Sequence, residues 1–158
     1  MSFVAAVPPA PQSPDNTTVS AGSWWGEVDC NAMRDALRLG DVVTHTRLVD
    51  AIRGGIITVT DELREWRSIQ IAAGHAVLAD VEPDDEVDGV NRLVLLFQRA
   101  VQFSAATELA ELNRDATATT ELLGRADTDA LTAPDYRRLA TNAIRDILGT
   151  TRTAVELI

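Results

Sequence analysis

The sequence predicts a mainly α protein: a bundle of three to four main helices with an extended N-terminal arm and a strand-like C-terminal tail. Three observations carry that expectation. Apolar residues recur every three or four positions over the stretches 48–66, 93–112 and 136–148, which is helical periodicity. Pro8, Pro9, Pro11 and Pro14 fall within seven residues, where no helix survives. Residues 153–158 have β character and no turn signal. At 158 residues, 46% of them hydrophobic, the chain suits one domain with a real core.

The elements follow in order. Residues 1–23 read as the arm, because proline removes a donor and pushes its predecessor away from helical dihedrals. A secretory leader is a poor match: the opening apolar run is short and has no basic flank. No stretch reaches the roughly 18 apolar residues of a membrane span. Trp24 and Trp25 open an aromatic, acidic patch, and Asp29 can cap a short helix from Cys30 to about Leu39, ended by Gly40. Thr44 caps the next helix, with Leu48, Ile52, Ile56, Val59, Leu63 and Trp66 as its buried stripe. That helix is expected to continue to Ala73 and break at Gly74. Gly54 and Gly55, in its middle, either bend it or admit another backbone closely.

Residues 75–89 read as a loop with an acidic run, after which Asp88 or Asn91 starts a third helix. Its buried face includes Leu93, Leu96, Phe97, Ala100, Val101, Ala105, Leu109 and Leu112. From 113 to 131 the expectation is a loop with one helical turn at most. Thr132 then caps a last helix, with Asp135 at the third position of a capping box and Gly149 as the stop. Its stripe is Tyr136, Leu139, Ala140, Ala143, Ile147 and Leu148. The plan is an arm at 1–23, a helical core at 24–152 and a tail at 153–158.

Composition narrows the chemistry. Twenty-four acidic residues stand against fourteen basic ones, a net charge of -10, and no basic patch offers a grip on phosphates. One cysteine and two histidines exclude a disulfide scaffold and the four-cysteine zinc class, so no metal and no cofactor is expected. No phosphate-binding loop, dinucleotide fingerprint, zinc-protease or serine-hydrolase motif occurs.

His75 is the most tempting single residue, with Asp80 the nearest carboxylate in sequence after it. The plainer reading is a histidine closing a helix end, and His45 reads the same way at a helix start. Cys30 sits where a helix start lowers a thiol pKa, but Glu27 and Asp29 oppose that, so a packing role is expected. The acidic run Glu82, Asp84, Asp85, Glu86 and Asp88 lacks the alternation of a calcium loop and reads as solvated.

Trp24 and Trp25 are too large to leave in water. Either both pack in the core, or one docks on a neighbouring chain as an interface anchor. Ala154, Val155, Glu156, Leu157 and Ile158 either tuck against their own domain or pair with another protein's edge.

A set of stretches recurs together in one order and spacing, beginning with Trp24-Trp25, Asp29 and the segment from Arg34 to Leu39. Val43-Thr44, Arg47-Leu48, Val59, Glu62-Leu63 and Trp66 continue it, then Gln70, Ala72-Ala-Gly-His75 and Leu78-Ala-Asp-Val81. The segment from Arg92 to Val101 follows, then Arg138, Ala143-Ile-Arg-Asp-Ile-Leu-Gly149, Arg152 and Val155-Glu-Leu-Ile158. Taken together, and most closely at the end, these stretches resemble the head completion (stabilisation) proteins of contractile-tailed temperate phages, the gpL family.

The resemblance implies a late structural protein of the virion with no catalytic residues. It implies an α-helical adaptor ring, a dodecamer in the virion, between the portal and a tail completion or tail terminator protein. Such a ring stabilises the filled head and lets genomic DNA pass through its channel without specific binding. It would sit at the head–tail junction, and in the host cytoplasm before assembly. Two other readings compete: a small helical monomeric or dimeric binding or regulatory protein, and an enzyme using His75 with a nearby carboxylate. The last requires a concave pocket that contains His75.

Overall fold

A computed structural model of the chain describes residues 13–40, 43–118 and 131–150. Its described part is mainly helical, with five α-helices and two small antiparallel hairpins. Strand β1 (Thr18–Ser20) pairs with β2 (Glu27–Asp29) in the register Thr18↔Asp29, Val19↔Val28, Ser20↔Glu27. The facing Val19 and Val28 are buried while their neighbours are exposed, the period-two pattern of a strand with one dry face. Residues 18–20 of the expected arm are therefore extended, but they pair with the core strand. Upstream, the Ser13 N–H donates to Asn31 Oδ1 at 2.9 Å, and the Cys30 N–H donates to the Thr17 carbonyl at 3.0 Å.

Helix α1 (Cys30–Ala36) starts as expected: Asp29 Oδ1 accepts from the Ala32 N–H at 2.7 Å. It ends sooner than Leu39. Arg38 takes a left-handed conformation, φ 52°, while the Leu39 N–H reaches the Arg34 carbonyl and the Arg38 N–H reaches that of Asp35. That is a Schellman closure with arginine where glycine is usual.

Helix α2 (His45–Glu62) is capped by Thr44, whose Oγ1 accepts from the Arg47 N–H. The expected single helix to Ala73 is instead two. Leu63, at φ -95° and ψ 6°, separates α2 from α3 (Arg64–Ala72), and Gly74 ends α3 at φ 100°. The glycine pair lies within the unbroken run of α2. A Cβ on Gly55 would stand 2.8 Å from the Val101 carbonyl oxygen and 3.2 Å from the Ala105 nitrogen, so glycine is what lets two helix backbones touch.

After a 3-10 turn (Leu78–Asp80) come β3 (Glu86–Val87) and β4 (Val90–Asn91). They are joined by Asp88-Gly89, both at positive φ, the turn chemistry of a two-residue hairpin. Asp88 is thus spent on the turn, and Asn91 starts the helix: its Oδ1 accepts from the N–H groups of Leu93 and Val94. Helix α4 (Arg92–Ala118) runs 27 residues, about 40 Å at 1.5 Å per residue. It continues to Ala118, into the segment 113–131 expected to be loop, of which 119–130 lie outside the described residues. Leu112, expected on its buried face, is 43% exposed.

Helix α5 (Ala133–Ile147) begins with the Asp135 carboxylate reaching back to the Thr132 N–H and hydroxyl, and ends at Gly149, φ 66°. Its stripe holds at Ala140, Ala143 and Ile147 and gains Ile144, while Leu148 is exposed. Helix α4 packs along both α2 and α5. Phe97, Ala100, Val101 and Ala105 form the centre of the core.

Candidate functional site

The loop between β1 and β2 places both tryptophans. Gly22 and Gly26, at φ 95° and 91°, turn the chain tightly on either side of them. Adjacent side chains diverge on a regular element, but in this loop both turn inward. Trp24 is 4% exposed and Trp25 6%. Trp25 stacks on Phe97 with ring centroids 4.7 Å apart, and Trp24 meets Trp25 edge-on at 4.6 Å. Trp66 of α3 joins the cluster at 6.0 Å from Trp24, and the Arg67 guanidinium lies over the Trp24 ring. Of the two readings of the pair, core packing is what the single chain shows.

The same tryptophan ties down the exit of α3. Trp24 Nε1 donates to the His75 carbonyl at 3.2 Å, and the Leu78 N–H donates to the Trp24 carbonyl at 2.9 Å. The His75 N–H donates to the Gln70 carbonyl at 3.2 Å across the end of α3, and the residue lines a cleft of about 430 Å³. That cleft joins residues far apart in sequence: Gln70 and His75, Glu82, Arg92 at the start of α4, and Asp146 at the end of α5. Trp66, Leu93 and Ile147 supply its apolar wall.

The concave site that the enzyme reading required is present, but its partners are not those expected. Asp80 is occupied elsewhere, its Oδ2 accepting from the N–H groups of Ala76 and Val77. Among the described residues the cleft's lining includes no serine, threonine or cysteine to act as nucleophile. Two carboxylates, one guanidinium and one imidazole over a tryptophan can hold a polar side chain or a short peptide segment.

A second cleft of about 430 Å³ lies between α2, α4 and α5. Glu62, Glu108 and Glu111 line it, and Arg137 pairs with Glu111 across it. Among the described residues no group of three or more His, Cys, Asp or Glu is placed to hold a metal ion.

Cys30 is fully buried at the first position of α1. Burial, and secondarily the Asp29 carboxylate, push its thiol pKa up, with Arg34 opposing. The helix start does not activate it. His45 is the first residue of α2, half-buried, with no hydrogen bond to its Nδ1. The acidic run is exposed, and Asp85 pairs with Arg92 at 3.3 Å. The candidate interface residues Ala154, Val155, Glu156, Leu157 and Ile158 lie outside the described residues, as do 1–12 of the arm.

These features describe an acidic, mainly helical protein that offers clefts between its helices. Sequence comparison gives that class a family. Residues 19–158 match the family model for the phage head completion protein (GPL), and the chain belongs to that family. It is 32% identical over 144 residues to the head completion/stabilization protein of Escherichia phage P2, covering 91% of this chain and 85% of that one. No solved structure matches.

Proposed function

We propose that this chain is the subunit of a closed adaptor ring that completes the phage head between portal and tail and stabilises the DNA-filled capsid. The observation that carries the reading is the family match, which spans the chain from β1 to its end. In the virion the ring has twelve copies, with the portal on one side and a tail completion or tail terminator protein on the other. A ring of identical subunits needs a heterologous contact that closes on itself. Of the expected arm and tail, residues 1–12 and 153–158 are suited to that contact or to the portal, since β1 is paired with β2.

The net charge of -10 fits a channel that DNA crosses without being held. Electron microscopy of the purified chain mixed with its portal tests the reading. A ring seated on the portal is expected, and a monomer that leaves the portal bare overturns it. Deleting residues 154–158 should weaken portal binding, and unchanged binding removes the tail from the contact.

A further inference from the structure

The chain leaves its last helix at the rim of the cleft that His75 lines. Gly149, at φ 66°, lines the same cleft. Its N–H donates to the Asp146 carbonyl at 3.3 Å, and the Thr150 N–H donates to the Arg145 carbonyl at 3.0 Å. This is a Schellman closure, which ends α5 and turns the chain off the helix axis. The described part of the chain ends at Thr150, so residues 151–158 set out from the rim.

The cleft has the character of a peptide seat. Its volume of about 430 Å³ lies within the roughly 300–1,000 Å³ of ordinary ligand sites. Val81, Leu93 and Ile147 are buried and Trp66 is half-buried, so its depth is apolar. Its rim is acidic: Glu82 and Asp146 bring carboxylates, while the Arg92 guanidinium is engaged with Asp85 at 3.3 Å. The backbone beneath is held in place. Trp24 Nε1 donates to the His75 carbonyl, and the Asn91 side-chain amide donates to the carbonyls of Val81 and Glu82 at 3.2 and 3.1 Å. A site ordered in advance loses little entropy on binding.

The sequence of the tail fits that seat. Arg152 follows Gly149 by three residues, a reach of up to about 10 Å, and supplies a cation to the acidic rim. In an extended segment Val155 and Leu157 share one face, towards the apolar depth, and Glu156 takes the other, away from the rim carboxylates. Attachment decides whose tail it is. A short tether holds a segment near its own cleft at an effective concentration of about millimolar, which the tail of a second copy has to outcompete.

We propose that the His75 cleft is a peptide seat whose occupant is residues 151–158 of the same copy. Arg152 meets Glu82 and Asp146, and Val155 and Leu157 lie against Trp66 and Ile147. The inference concerns the free chain and stands without the adaptor reading. It adds to that reading that a partner taking the tail first has to lift it from this cleft.

The test uses the full chain. Hydrogen exchange compares the amides of residues 155–157 in the unsubstituted chain with those of a synthetic peptide of residues 151–158. They should exchange at least about tenfold more slowly in the chain, at any chain concentration. A second measurement follows disulfide closure between Glu82→Cys and Ala154→Cys. The control is Asp50→Cys with Ala154→Cys, since Asp50 lies about 18 Å along α2 from its end. Glu82 and Asp50 are exposed, and Cys30 is buried out of reach. The first pair should close within one chain at least about tenfold faster than the control. Adding Val155→Ser with Leu157→Ser should remove both differences, with far-ultraviolet circular dichroism unchanged.

Exchange at the rate of the free peptide overturns the proposal. So does a serine pair that leaves protection and closure as they were, because a bare tether then explains the encounter. Disulfides between two chains, or protection that grows with concentration, place the tail on a second copy and overturn it too. None of these outcomes decides the adaptor reading, which the portal experiment tests separately.

Discussion

The α2–α4–α5 core and the α3–hairpin end spend their apolar residues in opposite ways. In the core, Gly55, Ala100, Ala105, Ala140 and Ala143 keep helices close and leave little room to adjust. At the other end Ile69, Ile71, Val87 and Val90 stand in water on a backbone fixed from beneath by Trp24 and Asn91. The contrast teaches that exposure and looseness are separate properties. It also predicts that substitutions of similar size act very differently in the two regions.

The largest expected effect is Trp25→Ala. It removes a buried ring stacked on Phe97 and should cost about 3–5 kcal/mol, read from denaturant unfolding. Ile69→Ser, at the other end, should change stability by less than about 0.5 kcal/mol in the same experiment. Equal losses would erase the distinction between the regions.

The glycine pair sharpens it within one helix. Gly55→Ala sets a Cβ against the α4 backbone and should destabilise by about 1–3 kcal/mol despite alanine's better helix propensity. Gly54→Ala meets only the movable end of Glu108 and should be neutral or stabilising by up to about 1 kcal/mol.

Cys30 gives a pH test of the core. Its folded thiol pKa is raised, so below the unfolded value both states hold the proton and stability is level. Above that value, near 8.5, the unfolded thiol ionises first and stability falls as pH rises towards the folded pKa. Cys30→Ser should flatten that alkaline limb, and a thiol reagent should label the chain only after denaturant is added.

The smallest effect is at the end of α1. Arg38→Gly removes the cost of a left-handed arginine and should raise stability by about 0.5 kcal/mol, the gain being limited by the freer unfolded chain.

What could be read from sequence was local. Asp29, Thr44, Asn91 and Thr132 with Asp135 act on groups within a few residues, and Gly74 and Gly149 end helices by their own dihedrals. The bend at Leu63 was hidden because the apolar period runs through it unchanged. Strands of two or three residues are too short for alternation to show, although Asp88-Gly89 is a hairpin signal in its own right. The continuation of α4 past Leu112 was missed because the apolar repeat of the sequence fades after that residue.

The orientation of the tryptophan pair depended on the turns at Gly22 and Gly26, and the His75 cleft on residues from 66 to 149 meeting in space. Neither is written in any one segment. The family, by contrast, was legible from the order of many weak matches, and the comparison over residues 19–158 bears it out.

Trp24 also closes a circuit in the chain. Its indole and its carbonyl bind residues 75 and 78, so everything between is a loop buckled at one point without a covalent bond. A single protease cut between residues 39 and 43 would not release the hairpin and α1 from the rest. The two fragments would remain one particle in native buffer, and they would part only when the aromatic cluster around Trp24 melts.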